Sequence, residues 1–164
     1  MSKINLIYFD FIGTFGGAQQ STSTLLNHLN QNYNDQVKPI VYFVNGTNEN
    51  FLKSLANMEV RKIYTPNIKN FSIFNIRGRF FYAFLYMLFC VLYLILKSPK
   101  KSIFLCNSVK SLTILCFVKI FRNIEINYYC RGWGDPKSFN FFSKCMMRYF
   151  VKKVYCVSTN TKKI

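Results

Sequence analysis

A chain of 164 residues that is 51% hydrophobic is long enough for one domain with a real core, which buries about two-thirds of its unfolded surface, and that composition excludes a disordered chain. Twenty-two Lys and Arg against six Asp and Glu give a formal charge of +16, and such a field draws anions: nucleic acid, anionic lipid or phosphorylated substrates. A single histidine and six cysteines without any Cys-x-x-Cys pair argue against a zinc site, and cysteines set in apolar runs read as small core residues of a reducing compartment.

The segments alternate in period along the chain. Ile4 to Phe9 is a short, nearly continuous apolar run, the pattern of a buried parallel strand. It is too short for a secretory leader and no small-residue cleavage site follows, so the chain is expected on the cytosolic side of a membrane. Asp10 and a glycine-bearing loop, Gly13 to Gly17, lead into a helix from Ala18 to Gln31 with Leu25, Leu26 and Leu29 on one face. His28 in that helix reads as a surface residue.

Pro39 to Val44 predicts a second strand, closed by the Asn45-Gly46 turn. A short helix over Asn50 to Asn57 and a brief strand over Val60 to Tyr64 follow. A long helix is predicted from Ile76 to Lys97, stopped by Ser98-Pro99. Ile103 to Cys106 is a fourth strand and Ser108 to Phe121 a helix with Leu112, Leu115, Cys116 and Lys119 at spacings of three and four. Ile124 to Cys130 is a fifth strand, Phe139 to Lys152 a helix, and Val154 to Val157 a sixth strand.

Strands separated by helices predict an α/β fold with a Rossmann-like parallel sheet covered on both faces. Right-handed crossovers gather the strand C-termini on one edge, where open α/β sheets bind ligands. The loops on that edge start at Asp10, Asn45, Thr65, Asn107, Arg131 and Ser158.

The loop Gly13-x-x-Gly16-Gly17-Ala18 before a helix lets the backbone turn tightly and offers free N–H groups to an anion. It lacks the Gly-x-Gly-x-x-Gly fingerprint, the acid after the second strand and a Walker lysine, so dinucleotide and P-loop chemistry are disfavoured. A plain strand-to-helix turn is the alternative. The first strand with Gly16-Gly17-Ala18-Gln19 resembles the N-terminal domain of the group 1 (family 4) glycosyltransferases of GT-B fold. The strand ending at Asn107 and Ser108, the loop Arg131-Gly132-Trp133-Gly134, and the final Val154-Tyr155-Cys156-Val157-Ser158-Thr159 with Lys162 resemble further stations of that family, in order, over nearly the whole chain.

That resemblance implies a single acceptor-side domain, residues 1–164, of a sugar-nucleotide-dependent transferase acting in cell-surface polysaccharide or lipopolysaccharide assembly. The family holds its nucleotide-sugar donor through a C-terminal domain with a spaced pair of glutamates. The six acids of this chain do not supply that pair, so no cofactor is expected on this domain alone, and the donor is expected with a missing domain or partner chain. Gly16, Gly17, Gln19, Asn107, Arg131 and Trp133 are the implied substrate-binding residues, Arg131 for a phosphate and Trp133 for a sugar ring. Asp135 reads either as a general base, which fits an inverting enzyme, or as an acid at a helix start before Pro136. The acceptor is expected to be a glycan or a lipid-linked glycan. The alternatives are a non-catalytic module that docks on a membrane or partner, left by truncation, and a different Rossmann-like nucleotide-binding enzyme.

Two features point to an anionic membrane surface. Phe80 to Leu96 carries no charge yet is shorter than the about 20 residues of a spanning helix, and basic residues flank it on both sides. Tyr82, Tyr86 and Tyr93 share a stripe with Phe89, predicting a face that meets headgroups. Lys144, Arg148 and Lys152 recur every fourth residue and predict one basic ridge on the later helix. Core packing and a solvated face are the alternatives. No binding motif accompanies the charge, so nucleic acid is not expected. A peripheral position on the inner face of the cell membrane follows as the expected location.

Overall fold

The computed structural model describes residues 3–11, 16–55, 58–65, 76–130 and 141–156, without the side chains of residues 18 and 76–80. Their chain order is β1 (Ile4–Phe9), α1 (Gly17–Asn32), β2 (Val37–Val44), α2 (Glu49–Lys53), β3 (Glu59–Ile63), α3 (Ile76–Lys97), β4 (Ser102–Cys106), α4 (Val109–Phe121), β5 (Glu125–Cys130), α5 (Phe141–Phe150) and β6 (Val151–Cys156). All the strands pair in parallel in the order β3-β2-β1-β4-β5-β6. The expected α/β, Rossmann-like parallel sheet with helices on both faces is therefore present.

The pleat sorts one strand between two cores. Tyr8 points with Val41 and Leu105 into a small cluster under α1 and α2, capped by Leu26 and Phe51. Its neighbours Ile7 and Phe9 point the other way, into a large cluster that α3, α4 and α5 cover with Cys90, Leu94, Leu112, Leu115 and Met146. The three helices lie side by side, α3 against α4 and α4 against α5. Four of the cysteines are buried. Burial alone pushes the Cys90 thiol up to about 12, and at Cys116 it outweighs nearby Lys119 to reach about 11. These thiols are packing groups, as their apolar settings predict.

Several boundaries moved, each for a physical reason. β2 begins at Val37 and runs through Pro39. Proline breaks a ladder only where its missing N–H is needed. Pro39 pairs with Leu6 on one side, while β3 joins the other side only from Ile40 onward. The turn after β2 uses Gly46 at φ 85, a conformation that favours glycine. α2 starts one residue earlier than expected, where Asn48 caps it by accepting from the Asn50 N–H at 2.9 Å, and ends at Lys53.

The basic ridge of Lys144, Arg148 and Lys152 is corrected. α5 ends at Phe150, and the β-branched Val151 starts β6 at once, so Lys152 belongs to a strand. Its Nζ pairs with Glu125 Oε2 at 2.6 Å. That bond holds the Glu125 carboxyl below the usual range. The lysine side chain is largely exposed, so screening leaves little net stabilisation. Glu125→Gln is expected to lower the urea-unfolding free energy by less than about 1 kcal/mol at pH 7.

The tyrosine stripe is corrected as well. Tyr86 and Tyr93 pack against the large core, Tyr86 beside Phe11 and Tyr93 edge-on to Tyr42 with ring centroids 6.1 Å apart. Tyr82 is half-buried too. Tyr86 reaches Phe11, just past β1, and Tyr93 reaches β2, so packing rather than water claims these two rings.

The carboxyl end of α3 is held by side chains from both neighbours. Arg122 Nη1 donates to the carbonyls of Ile95 at 2.7 Å and Ser98 at 2.9 Å. Arg61 Nη1 and the Tyr42 hydroxyl both donate to the Lys97 carbonyl at 3.1 Å. Cations on the last carbonyls complement the helix dipole.

Candidate functional site at the sheet edge

In the order β3-β2-β1-β4-β5-β6, the chain leaves β1 toward β2 and leaves β4 toward β5. The two connections part in opposite directions, which opens a crevice at the C-terminal ends of β1 and β4. Asp10 lies there, just past β1, almost fully buried. Asn107 and Ser108 lie beside it, just past β4.

The residues form one hydrogen-bonded knot. Asp10 Oδ1 accepts from the Ser108 hydroxyl at 2.5 Å, the Ser111 hydroxyl at 2.6 Å and the Phe11 N–H at 2.9 Å. Asp10 Oδ2 accepts from the Tyr8 hydroxyl at 3.3 Å. Ser108 is also the N-cap of α4, accepting from the Ser111 N–H at 3.2 Å. Among the described residues no basic side chain pairs with Asp10. Burial therefore dominates and raises its pKa, against the opposing pull of the four hydrogen bonds. The Asn107 carbonyl accepts from the Tyr128 hydroxyl at 3.1 Å, tying β5 to the same corner.

The glycine turn stands at the start of α1. Gly16 is extended, at φ −140 and ψ −170, which any residue adopts. Its N–H donates to Gln19 Oε1 at 3.1 Å. This is one half of a capping box, since glycine has no side chain to supply the other. A Cβ on Gly17 would meet no described atom within 4 Å. The first N–H groups of α1 there are unpaired within the helix.

The candidate substrate residues Gly16, Gly17 and Gln19 thus sit on the loop from β1, and Asn107 on the loop from β4, at one sheet edge. Arg131, Trp133 and Asp135 lie outside the described residues, as does the segment from Val157 onward. His28 is exposed, as expected, with Nδ1 3.0 Å from Asn32 Nδ2. Among the described residues no three His, Cys, Asp or Glu side chains gather as a metal site. Sequence reasoning missed Asp10, Ser108 and Ser111 as a unit. The only local signal was an acid directly after an apolar strand, and nothing in the sequence joins it to serines about a hundred positions away.

No protein-family profile and no curated protein matches the chain. Solved structures do. The lipopolysaccharide outer core galactosyltransferase WaaB, in its apo form, superposes with a TM-score of 0.62 at 16% identity, over 97% of this chain and 40% of its own. HepE of Anabaena, solved with UDP and glucose, gives 0.58 at 15% identity, over 92% and 37%. A protein of Listeria monocytogenes assigned as a UDP-N-acetylglucosamine 2-epimerase gives 0.64 at 12% identity, over 99% and 42%. The chain spans about two-fifths of the length of these proteins. At such identities the likeness is one of fold: a Rossmann-like α/β domain of the kind built into these sugar enzymes.

Proposed function

We propose that the chain is the N-terminal, acceptor-side half of a GT-B glycosyltransferase, which transfers sugar from a nucleotide-sugar to a glycan or lipid-linked acceptor in cell-surface polysaccharide assembly. The observation that carries this reading is the placement of the Gly16-Gly17 turn, after β1, and of the Asn107-Ser108 corner, after β4, at the sheet edge where the connections diverge. Two helix N-termini converge on that edge, a setting suited to phosphate and sugar hydroxyl groups. The fold likeness to WaaB and HepE supports the class. A second domain, in the same protein or a partner chain, would carry the donor site and close the crevice. Residues of the present domain would bind and orient the acceptor and line the donor phosphates. The reaction would run at the inner face of the cell membrane, where lipid-linked acceptors are presented.

The test begins with the DNA beyond the codon for Ile164. A second Rossmann-like domain with a spaced glutamate pair, encoded in frame or next to it, is the expected result. The two parts, produced together, are then assayed for sugar release from UDP-sugars with membrane extract as acceptor. Gly17→Val should leave the melting temperature within about 2 °C, because the added side chain meets no described atom within 4 Å, and lower kcat/KM about tenfold by blocking backbone approach. Unrelated sequence at that locus, together with no transfer by any co-produced partner, overturns the proposal in favour of a non-catalytic docking module.

A further inference from the structure

The two helical layers present opposite characters to the outside. α1 exposes Gln20, Ser21, Thr24, His28 and Gln31, which are polar and uncharged. α3 exposes an apolar stripe: Phe81 at 65%, Phe84 at 54%, Leu88 at 39%, Leu92 at 47% and Leu96 at 76%. These positions recur at three and four residues, so they lie along one side of the helix. That stripe runs for roughly 22 Å at the helical rise. Phe121, at the end of neighbouring α4, is equally exposed. Contiguous apolar surface of this extent marks a binding face rather than chance exposure.

The charge around the stripe is of one sign. No acidic residue occurs between Glu59 and Glu125, nor within α5. Lys97, Lys100 and Lys101 are exposed just beyond Leu96, and Lys110 is exposed on α4. A protein partner would be met by a rim of both signs with hydrogen-bonding groups. A second copy would bring the same uncompensated positive charge. An anionic bilayer offers the complement of this face: an apolar interior beneath a uniform layer of phosphates. Among the described residues no helix is long and apolar enough to cross a membrane, so the contact is one of lying on the surface.

We propose that the outward face of α3 and α4 docks on an anionic phospholipid bilayer, with the Phe81-to-Leu96 stripe at the boundary of headgroups and acyl chains and the Lys97–Lys101 cluster on lipid phosphates. The tyrosine flank of α3 faces the sheet, and the phenylalanine and leucine side faces the lipid. This goes beyond the transferase reading and needs no sugar transfer to be true.

The test is co-sedimentation of the full chain with phosphatidylcholine vesicles that contain or lack phosphatidylglycerol. Partition is expected to be at least about tenfold stronger with phosphatidylglycerol and to weaken with added salt. Leu88→Glu/Leu92→Glu should reduce it at least about tenfold, with melting temperature and circular dichroism unchanged. Lys100→Glu/Lys110→Glu, two exposed changes outside the core, should reduce it by roughly fivefold per charge and decides the matter should the leucine variant fail to fold. Absence of binding to anionic vesicles overturns the proposal, as does equal binding by the variants. A dimer in light scattering that the leucine variant abolishes, without vesicle binding, would assign the face to a second copy instead.

Discussion

Asp10→Ala is expected to cost about 3 kcal/mol of folding stability, a fall in melting temperature of about 6–12 °C for a domain of this size. The substitution removes the acceptor of two serine hydroxyls and one backbone N–H in a buried corner. Donors left without a partner there carry their full desolvation cost. Asp10→Asn is expected to behave differently and stay within about 1 kcal/mol of the parent at pH 7. Its carbonyl oxygen still accepts, and the neutral amide avoids the burial of charge that raises the Asp10 pKa. Urea denaturation of the three proteins makes the comparison. An alanine variant as stable as the parent, or an asparagine variant as weak as the alanine one, would refute the account of the knot.

The same carboxyl sets a pH dependence of definite sign. In the unfolded chain it ionises near its ordinary value of 3.8, and in the fold at a higher pH. Between those values the folded state holds a proton that the unfolded state has lost. Its contribution is fully present below the unfolded value and is lost as pH rises through the folded one. Glu59 and Glu125 act in the opposite sense. Hydrogen bonds from Lys38 and Lys152 respectively are the main cause of their lowered pKa values. Their stabilisation is present above the ordinary 4.5 and disappears as pH falls through the lowered values. The part of parent stability that the Asp10 carboxyl carries should decline as pH rises above 3.8, and the asparagine variant, which lacks the titrating group, should lack that decline in a difference profile against the parent.

Arg122→Met is expected to cost about 3 kcal/mol as well. Its guanidinium group serves two carbonyls at the carboxyl end of α3, where a cation is also favoured by the helix dipole. The methylene stem is kept by methionine, so the loss reads the polar end alone. Arg122→Lys should recover part of it, since both contacts come from the single Nη1, a point an ammonium on a shorter stem reaches less well. Hydrogen exchange resolved by residue is the sharper measurement, with protection falling first in the last turn of α3. A uniform loss across the sheet would contradict a local cap.

The strand–helix alternation and the parallel sheet were legible because buried strands announce themselves as unbroken apolar runs. Boundaries were less so. Whether Pro39 can sit inside a strand depends on where a neighbouring strand begins, which is a property of register. Lys152 fell in step with Lys144 and Arg148 by spacing, yet Val151 had already changed the backbone. Tyr86 and Tyr93 carried a polar tip that suggested water, but ring size made them the better fillers against the large core. The places of Gly16, Gly17 and Gln19 after β1 and of Asn107 after β4 were readable from the strand pattern. The Asp10 knot was not, since contact between Asp10 and Ser111 is created only when β1 and β4 become neighbours.

The clasp on α3 has a thermodynamic corollary. Arg61, Tyr42 and Arg122 fasten its carboxyl end while Cys90 and Leu94 anchor its inner side, so this helix is complete before it touches anything. Many peptides that adsorb to interfaces are coils in water and spend part of their binding energy on becoming helical. α3 owes no such ordering entropy. Adsorption of this domain would leave its far-ultraviolet dichroism flat, and its heat-capacity change would report dehydration alone.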